Sequence, residues 1–227
     1  MNIEYTAAVG TKFNKDGSLR PFPGNSIVCQ LDESSLQHVL ISALLVEMAG
    51  ASFSDAFALL PPESLHMTLF DLICDEIRVQ ANWSSLIPLD CSLEEADKIL
   101  NGLQSQVEKP ENLRMSFHHF ELEKTIGTVL VPADDESSVA LYTYREELSK
   151  VTGIRHPNHD TYFYHISMAY ILRNLSETEK SDLDFWVKSV DERLEKSFGN
   201  LKLPAPELVL FPDMASFPKI RSGNYGM

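Results

Sequence analysis

Ser64-Leu65-His66-Met67-Thr68-Leu69-Phe70 and Tyr164-His165-Ile166-Ser167-Met168-Ala169-Tyr170 are the two stretches from which the fold is read. Each reads as a short strand in which apolar and aromatic residues alternate with one histidine and, two places on, one hydroxyl. Side chains of a strand alternate between its faces, so His66 and Thr68 share one face, as do His165 and Ser167. A sheet that needed only a core would place valine or leucine at these positions. Two strands that each present an imidazole and a hydroxyl on one face point to chemistry.

Working outward, each histidine strand sits at the same place in a similar series of elements. Ser26–Leu31 is a predicted strand, and Asp32-Glu33-Ser34-Ser35 carries the acids and hydroxyls of a helix start. Leu36, Val39, Leu40, Ala43, Leu44 and Met48 then recur at helical spacing, with Gly50 as the stop. After the His66 strand, Ser92 and Glu95 open a helix to about Val107, and Leu113–Glu123 is a predicted strand. The second half begins with the strand Thr128–Val131, and Asp135-Glu136-Ser137-Ser138 repeats the four letters of residues 32–35. A helix through Leu141, Tyr144, Leu148 and Val151 stops at Gly153 and leads to the His165 strand. Ser176 and Glu179 open another helix that runs to Gly199, and Leu208–Phe211 closes the copy. Asp32 precedes His66 by 34 residues and Asp135 precedes His165 by 30. Shared element order and shared intervals indicate an internal duplication. The expected architecture is α/β (α+β): one bilobal domain over 1–227, with lobes of about 26–123 and 124–211 and an N-terminal extension, 1–25. Two similar sheets flank a central cleft, with the helices outside.

Composition narrows the function. The formal net charge is −14, which repels long polyanions, so long nucleic acid is disfavoured as a partner and a small anionic substrate is favoured. Cys29, Cys74 and Cys91 are odd in number and widely spaced, as in a reducing compartment. There is no leader-like N-terminus and no apolar run long enough to span a membrane, so a cytoplasmic location without membrane contact is expected. Within the extension, Asp16-Gly17 reads as a hairpin turn and Pro21–Asn25 as a rigid loop.

Histidine titrates near neutrality, so one imidazole of a facing pair can be neutral while the other is protonated. One then removes a proton from the attacking oxygen and the other protonates the leaving oxygen. In-line attack on a phosphodiester suits this placement, with Thr68 and Ser167 donating hydrogen bonds to non-bridging oxygens. The scheme needs neither metal nor cofactor.

The pair His66-Met67-Thr68-Leu69 and His165-Ile166-Ser167-Met168, set in duplicated lobes, resembles the two-histidine (2H) phosphoesterase superfamily. That group includes the 2′-5′ RNA ligase-like proteins and the cyclic nucleotide phosphodiesterases, and its signature is a pair of HxTx-type motifs. The likeness spans most of residues 26–211, with close matching confined to the two motifs. It implies His66 and His165 as the catalytic acid–base pair, and Thr68 and Ser167 as phosphate anchors. It further implies a metal-independent hydrolase acting on a 2′,3′-cyclic phosphate, a related cyclic phosphate or a 2′-5′ linkage. The segments Gly10–Phe13 and Arg20–Asn25 are not part of that signature and look like the extension of a poorly characterised branch.

Other residues divide as follows. Lys12, His159, Tyr162 and Tyr164 are candidate substrate contacts, the first as a phosphate cation and the tyrosines as stacking surfaces. Arg155 and Arg173 are further candidate cations. His159-Asp160-Thr161 is a third His-x-hydroxyl match, but Pro157-Asn158 places it in a turn. His118 and His119, adjacent on a strand, are expected on opposite faces, which argues against a shared metal. The alternatives to an enzyme of this kind are a nucleotide or phosphometabolite binding module that does not turn over, and a metal hydrolase built on His118, His119 or His159.

Overall fold

The computed structural model describes residues 3–122 and 125–218. Its elements run β1 (Gly24–Gln30), α1 (Leu36–Ala49), β2 (Phe57–Leu59), β3 (His66–Cys74), α2 (Leu93–Gln104) and β4 (Arg114–Glu121). They continue as β5 (Thr125–Pro132), α3 (Asp135–Thr152), β6 (Tyr164–Ile171), α4 (Glu177–Ser197), β7 (Asn200–Lys202) and β8 (Glu207–Phe211). The architecture is α+β, with two antiparallel sheets ordered β3-β1-β8 and β2-β6-β5-β4-β7. The residues at the expected lobe boundary, 123 and 124, lie outside the described residues.

The two sheets share a three-strand plan. In each, the first strand of one half is central, its histidine strand lies on one side, and the last strand of the other half lies on the other side. Thus β1 is flanked by β3 and β8, and β5 by β6 and β4. The halves have exchanged their final strands. The main apolar core runs continuously from Ile27 and Met67 to Ile166, Met168 and Leu208, through residues of both halves.

Helix ends follow local chemistry. Ser92 accepts from the Glu95 amide, and Ser176 and Glu179 form a reciprocal capping box. Gly153 ends α3 at φ 66°, a conformation that favours glycine. The repeated Asp-Glu-Ser-Ser tetrads are out of step with each other. Ser35 at the end of the first is the N-cap of α1, whereas Asp134, before the second, caps α3. The face of α1 also differs from the expected one: Leu36 and Val39 are each 56% exposed. Leu44 and Met48 of that face are buried, but they are joined by Gln37, His38, Ile41 and Leu45. The helix is apolar on several sides, so spacing did not select the face. Tertiary bonds from Gln37 Nε2 to the Phe198 carbonyl (2.6 Å) and between His38 Nε2 and the Pro62 carbonyl (3.1 Å) fix it.

Each histidine strand carries one extra residue directly after its hydroxyl. Ile27 pairs with Phe70 and Val28 with Thr68, so Leu69 is the additional residue in β3. Ile126 pairs with Ala169 and Gly127 with Ser167, so Met168 is the additional residue in β6. Such bulges break the alternation of faces. Burial follows the slip, since Leu69-Phe70 and Met168-Ala169 are consecutive buried pairs. The two bulges are supported differently. In β6 the support is Gly127, where a Cβ would lie 2.1 Å from the Ile166 carbonyl oxygen. In β3 it is the buried Arg145 of α3, whose guanidinium donates to the carbonyls of Leu69 and, at 3.1 Å, His159.

The Gly127→Ala variant must push β5 away from the β6 backbone. It should lose stability at the upper end of the ~1–3 kcal/mol range typical of overpacked cores, as read from the urea unfolding midpoint. An unchanged midpoint would show that the strands separate there freely.

Candidate functional site

The two histidine strands lie near each other and open on one cavity of about 490 Å³. His66, Thr68, His165 and Ser167 all line it. So do Asp71 and Tyr170, which strict alternation would have turned away from it. The bulge puts each of them three residues past its hydroxyl and on the same face. The site is therefore two matched triplets, His66-Thr68-Asp71 and His165-Ser167-Tyr170.

Each imidazole is oriented by its own strand. Nδ1 of His66 bonds the Ser64 carbonyl at 2.7 Å, and Nδ1 of His165 bonds the Phe163 carbonyl at 3.4 Å. A carbonyl can only accept, so Nδ1 carries the proton and Nε2 is left to exchange protons in the cleft. The surroundings of the two rings differ. His66 lies under Phe217, at 4.1 Å between ring centres, and Gln30 Nε2 donates to the Phe217 carbonyl at 2.7 Å. Burial holds the His66 pKa down at about 4. The nearby charge of His165 acts the same way, while the Ser64 carbonyl and the charge of Asp71 act against it. His66 is therefore neutral at pH 7, a proton acceptor at Nε2.

The remaining expected residues separate. Lys12 lines the cavity, with Nζ 4.9 Å from the Phe22 ring centre and 4.7 Å from that of Tyr170. Tyr162 lines it too, its hydroxyl donating to the Thr68 carbonyl at 3.3 Å while the Arg145 guanidinium lies 4.2 Å over its ring. Tyr164, edge-on to Tyr162 at 5.7 Å, is not among the described residues that line it. Neither is His159, whose buried ring bonds Glu146 Oε1 at 2.8 Å through Nε2. Arg155 pairs with Glu146 and Asp160, and Arg173 with Asp55 and Glu179, all away from the cleft.

Phe217, Phe22, Met214 and His156 are cleft residues that sequence reasoning missed. His156 Nε2 donates to the Asp71 and Leu72 carbonyls (both 3.0 Å), leaving Nδ1 to accept from Asn82 Nδ2 at 2.9 Å. It thereby ties β3 to the turn at 80–82. No alternation rule points to these positions, because they come from a turn, the extension and the tail.

Two groupings bear on metal binding. A bulge at His118 defeats the expectation of opposite faces, and the Nδ1 atoms of His118 and His119 meet at hydrogen-bond distance, 2.6 Å. Glu146, His159 and Asp160 gather three ligand atoms, and Arg155 already bridges the two carboxylates. Neither grouping faces the cavity. Among the described residues no helix is long and apolar enough to cross a membrane.

A family model described as "2H-phosphodiest: Domain of unknown function (DUF1868)" matches residues 12–126, just over half of the chain. The chain belongs to this 2H phosphodiesterase family. The match starts at Lys12, so the extension's cleft-facing segment lies within the part that the 2H family model covers. The fold is similar to that of the conserved protein of unknown function ATU0111 from Agrobacterium tumefaciens C58 (24% identity, 96% of this chain, 92% of that chain, TM-score 0.88). Weaker likenesses are a structure described as a phosphoesterase (10% identity, 89% and 97% covered, TM-score 0.49) and E. coli LigT complexed with NADP+ (9%, 88% and 96%, 0.48). No curated protein matches the chain in sequence.

Removing the ring over His66 tests the cause of its depressed pKa. In Phe217→Ala, an NMR titration of the His66 imidazole should show its pKa rising from about 4 toward the ordinary 6.5. No movement would mean that the other walls bury the ring unaided.

Proposed function

We propose that this 2H-family chain is a metal-independent phosphoesterase that hydrolyses a small 2′,3′-cyclic phosphate, a related cyclic phosphate or a 2′-5′ linkage. The observation that carries the reading is the matched pair of triplets on one cavity, each with an imidazole whose Nε2 is left for proton transfer. His66, neutral at pH 7, takes the proton of the attacking water at Nε2. The water oxygen bonds to phosphorus, the opposite P–O bond breaks, and His165 delivers a proton to the departing ribose oxygen. Thr68 and Ser167 donate to the non-bridging oxygens, where negative charge builds up. The Asp71 carboxylate favours the imidazolium that forms on His66.

A binding module without turnover is the competing reading, and the Phe217 ring against His66 is what favours it. Hydrolysis separates the two. Cyclic nucleotides should be hydrolysed in EDTA, and His66→Ala or His165→Ala should each lower kcat by about 10²-fold or more. The rate should follow a bell-shaped pH curve whose acid limb reflects His66: activity falls as the pH drops through about 4, where that ring becomes protonated. Saturable nucleotide binding with no product would support the binding module. Loss of activity in EDTA with recovery on added zinc would overturn the metal-independent scheme.

A further inference from the structure

The extension before β1 has an organisation of its own. Phe13, 1% exposed, is its plug, packed with Phe22, Leu60, Leu172 and Met214 in a small separate core. The neighbouring Lys12 is held at both backbone groups, its amide donating to the Ala8 carbonyl and its carbonyl accepting from the Arg20 amide, each at 2.9 Å. Its half-buried side chain enters the cavity and rests on the faces of Phe22 and Tyr170. Ring faces attract the ammonium charge but do not accept its N–H bonds as an oxygen would. In a chain of net charge −14, Lys12 pairs with no carboxylate among the described residues. What sets Lys12 apart is its place: no other lysine or arginine among the described residues lines the cavity.

We infer that Lys12 forms a second anion subsite, so that the substrate carries a further phosphate on the part of the molecule remote from the reacting phosphorus. The inference rests on the phosphoesterase reading and deepens it. Tyr170 lies three residues beyond Ser167 on the same face of β6, about 7–10 Å along the strand at strand rise, and the Lys12 ammonium sits 4.7 Å from its ring centre. The ammonium is thus held beside a residue displaced along the strand from the phosphate anchor, on the same cavity. Phe22, Phe211, Met214 and Phe217 wall the cavity and offer apolar cover to the sugar or base between the two anions. One phosphate then meets the two triplets, and the other meets an ammonium that donates to no oxygen among the described residues.

The test compares adenosine 2′,3′-cyclic phosphate with the same compound bearing a 5′-phosphate, by kcat/KM and by calorimetric Kd. The wild-type chain should prefer the 5′-phosphorylated compound by about tenfold or more, as one charge-assisted bond provides. In Lys12→Met the ratio of the two kcat/KM values should approach one, and Lys12→Arg should keep most of it. Turnover of both compounds with no preference, or a preference that survives Lys12→Met, overturns the inference and leaves the phosphoesterase reading standing. A Lys12-dependent Kd preference without turnover retains the subsite and removes the catalytic reading. Binding of neither compound removes both.

Discussion

The additional residue that follows the hydroxyl in β3 and in β6 governs the geometry of the cleft. With it, His66, Thr68 and Asp71 share a face, as do His165, Ser167 and Tyr170. Without it, Asp71 and Tyr170 would turn toward the apolar interior, and Phe70 and Ala169 would turn toward solvent. The two halves keep this bulge by unrelated means. In one, Gly127 lets the β6 backbone approach where a side chain would collide. In the other, Val28 occupies the matching position, and a buried arginine reaches across from α3 to satisfy the displaced carbonyl. The two strands share a shape but not the contacts that maintain it.

The same divergence separates the two imidazoles. His66 has the shorter, part-buried bond to its carbonyl and an aromatic ring from the tail against it, while the carbonyl bond of His165 is exposed and its ring lies 5.2 Å from that of Phe163. Equal rings in unequal surroundings can divide acid and base work, because environment rather than residue type sets which one holds the proton. The tail, through Phe217, supplies much of this inequality.

What could be read in the chain was local. The His-x-hydroxyl strands, the caps at Ser92 and Ser176, and the stop at Gly153 each depend on a few neighbouring residues, and they were legible. What depends on a distant partner was not. The bulges at Leu69, Met168 and His118 are properties of strand pairs, so period-two reasoning set His118 and His119 on opposite faces and gave no sign that Asp71 and Tyr170 would join the cleft. The strands Phe57–Leu59 and Asn200–Lys202 are only three residues long and owe their shape to the sheet they join. His159 matched a motif by letter, but its turn directs the ring toward Glu146. The seating of Phe217 on His66 brings the tail onto a strand that lies far earlier in the chain, and nothing near either residue announces it.

The exchange of final strands has a consequence for synthesis. On the ribosome, β1 and β3 emerge early and can form only a two-stranded ribbon, an arrangement of marginal stability in water. The third strand of that sheet, β8, leaves the ribosome long after β3, behind all four helices, with Gly24 waiting for Phe211. Until then β1 presents an open edge, the kind of surface that captures wrong partners. Assembly of that sheet is thus held back until β8 is made, and a nascent chain that stalls shortly before β8 lacks one wall of its sheet, however complete its helices are.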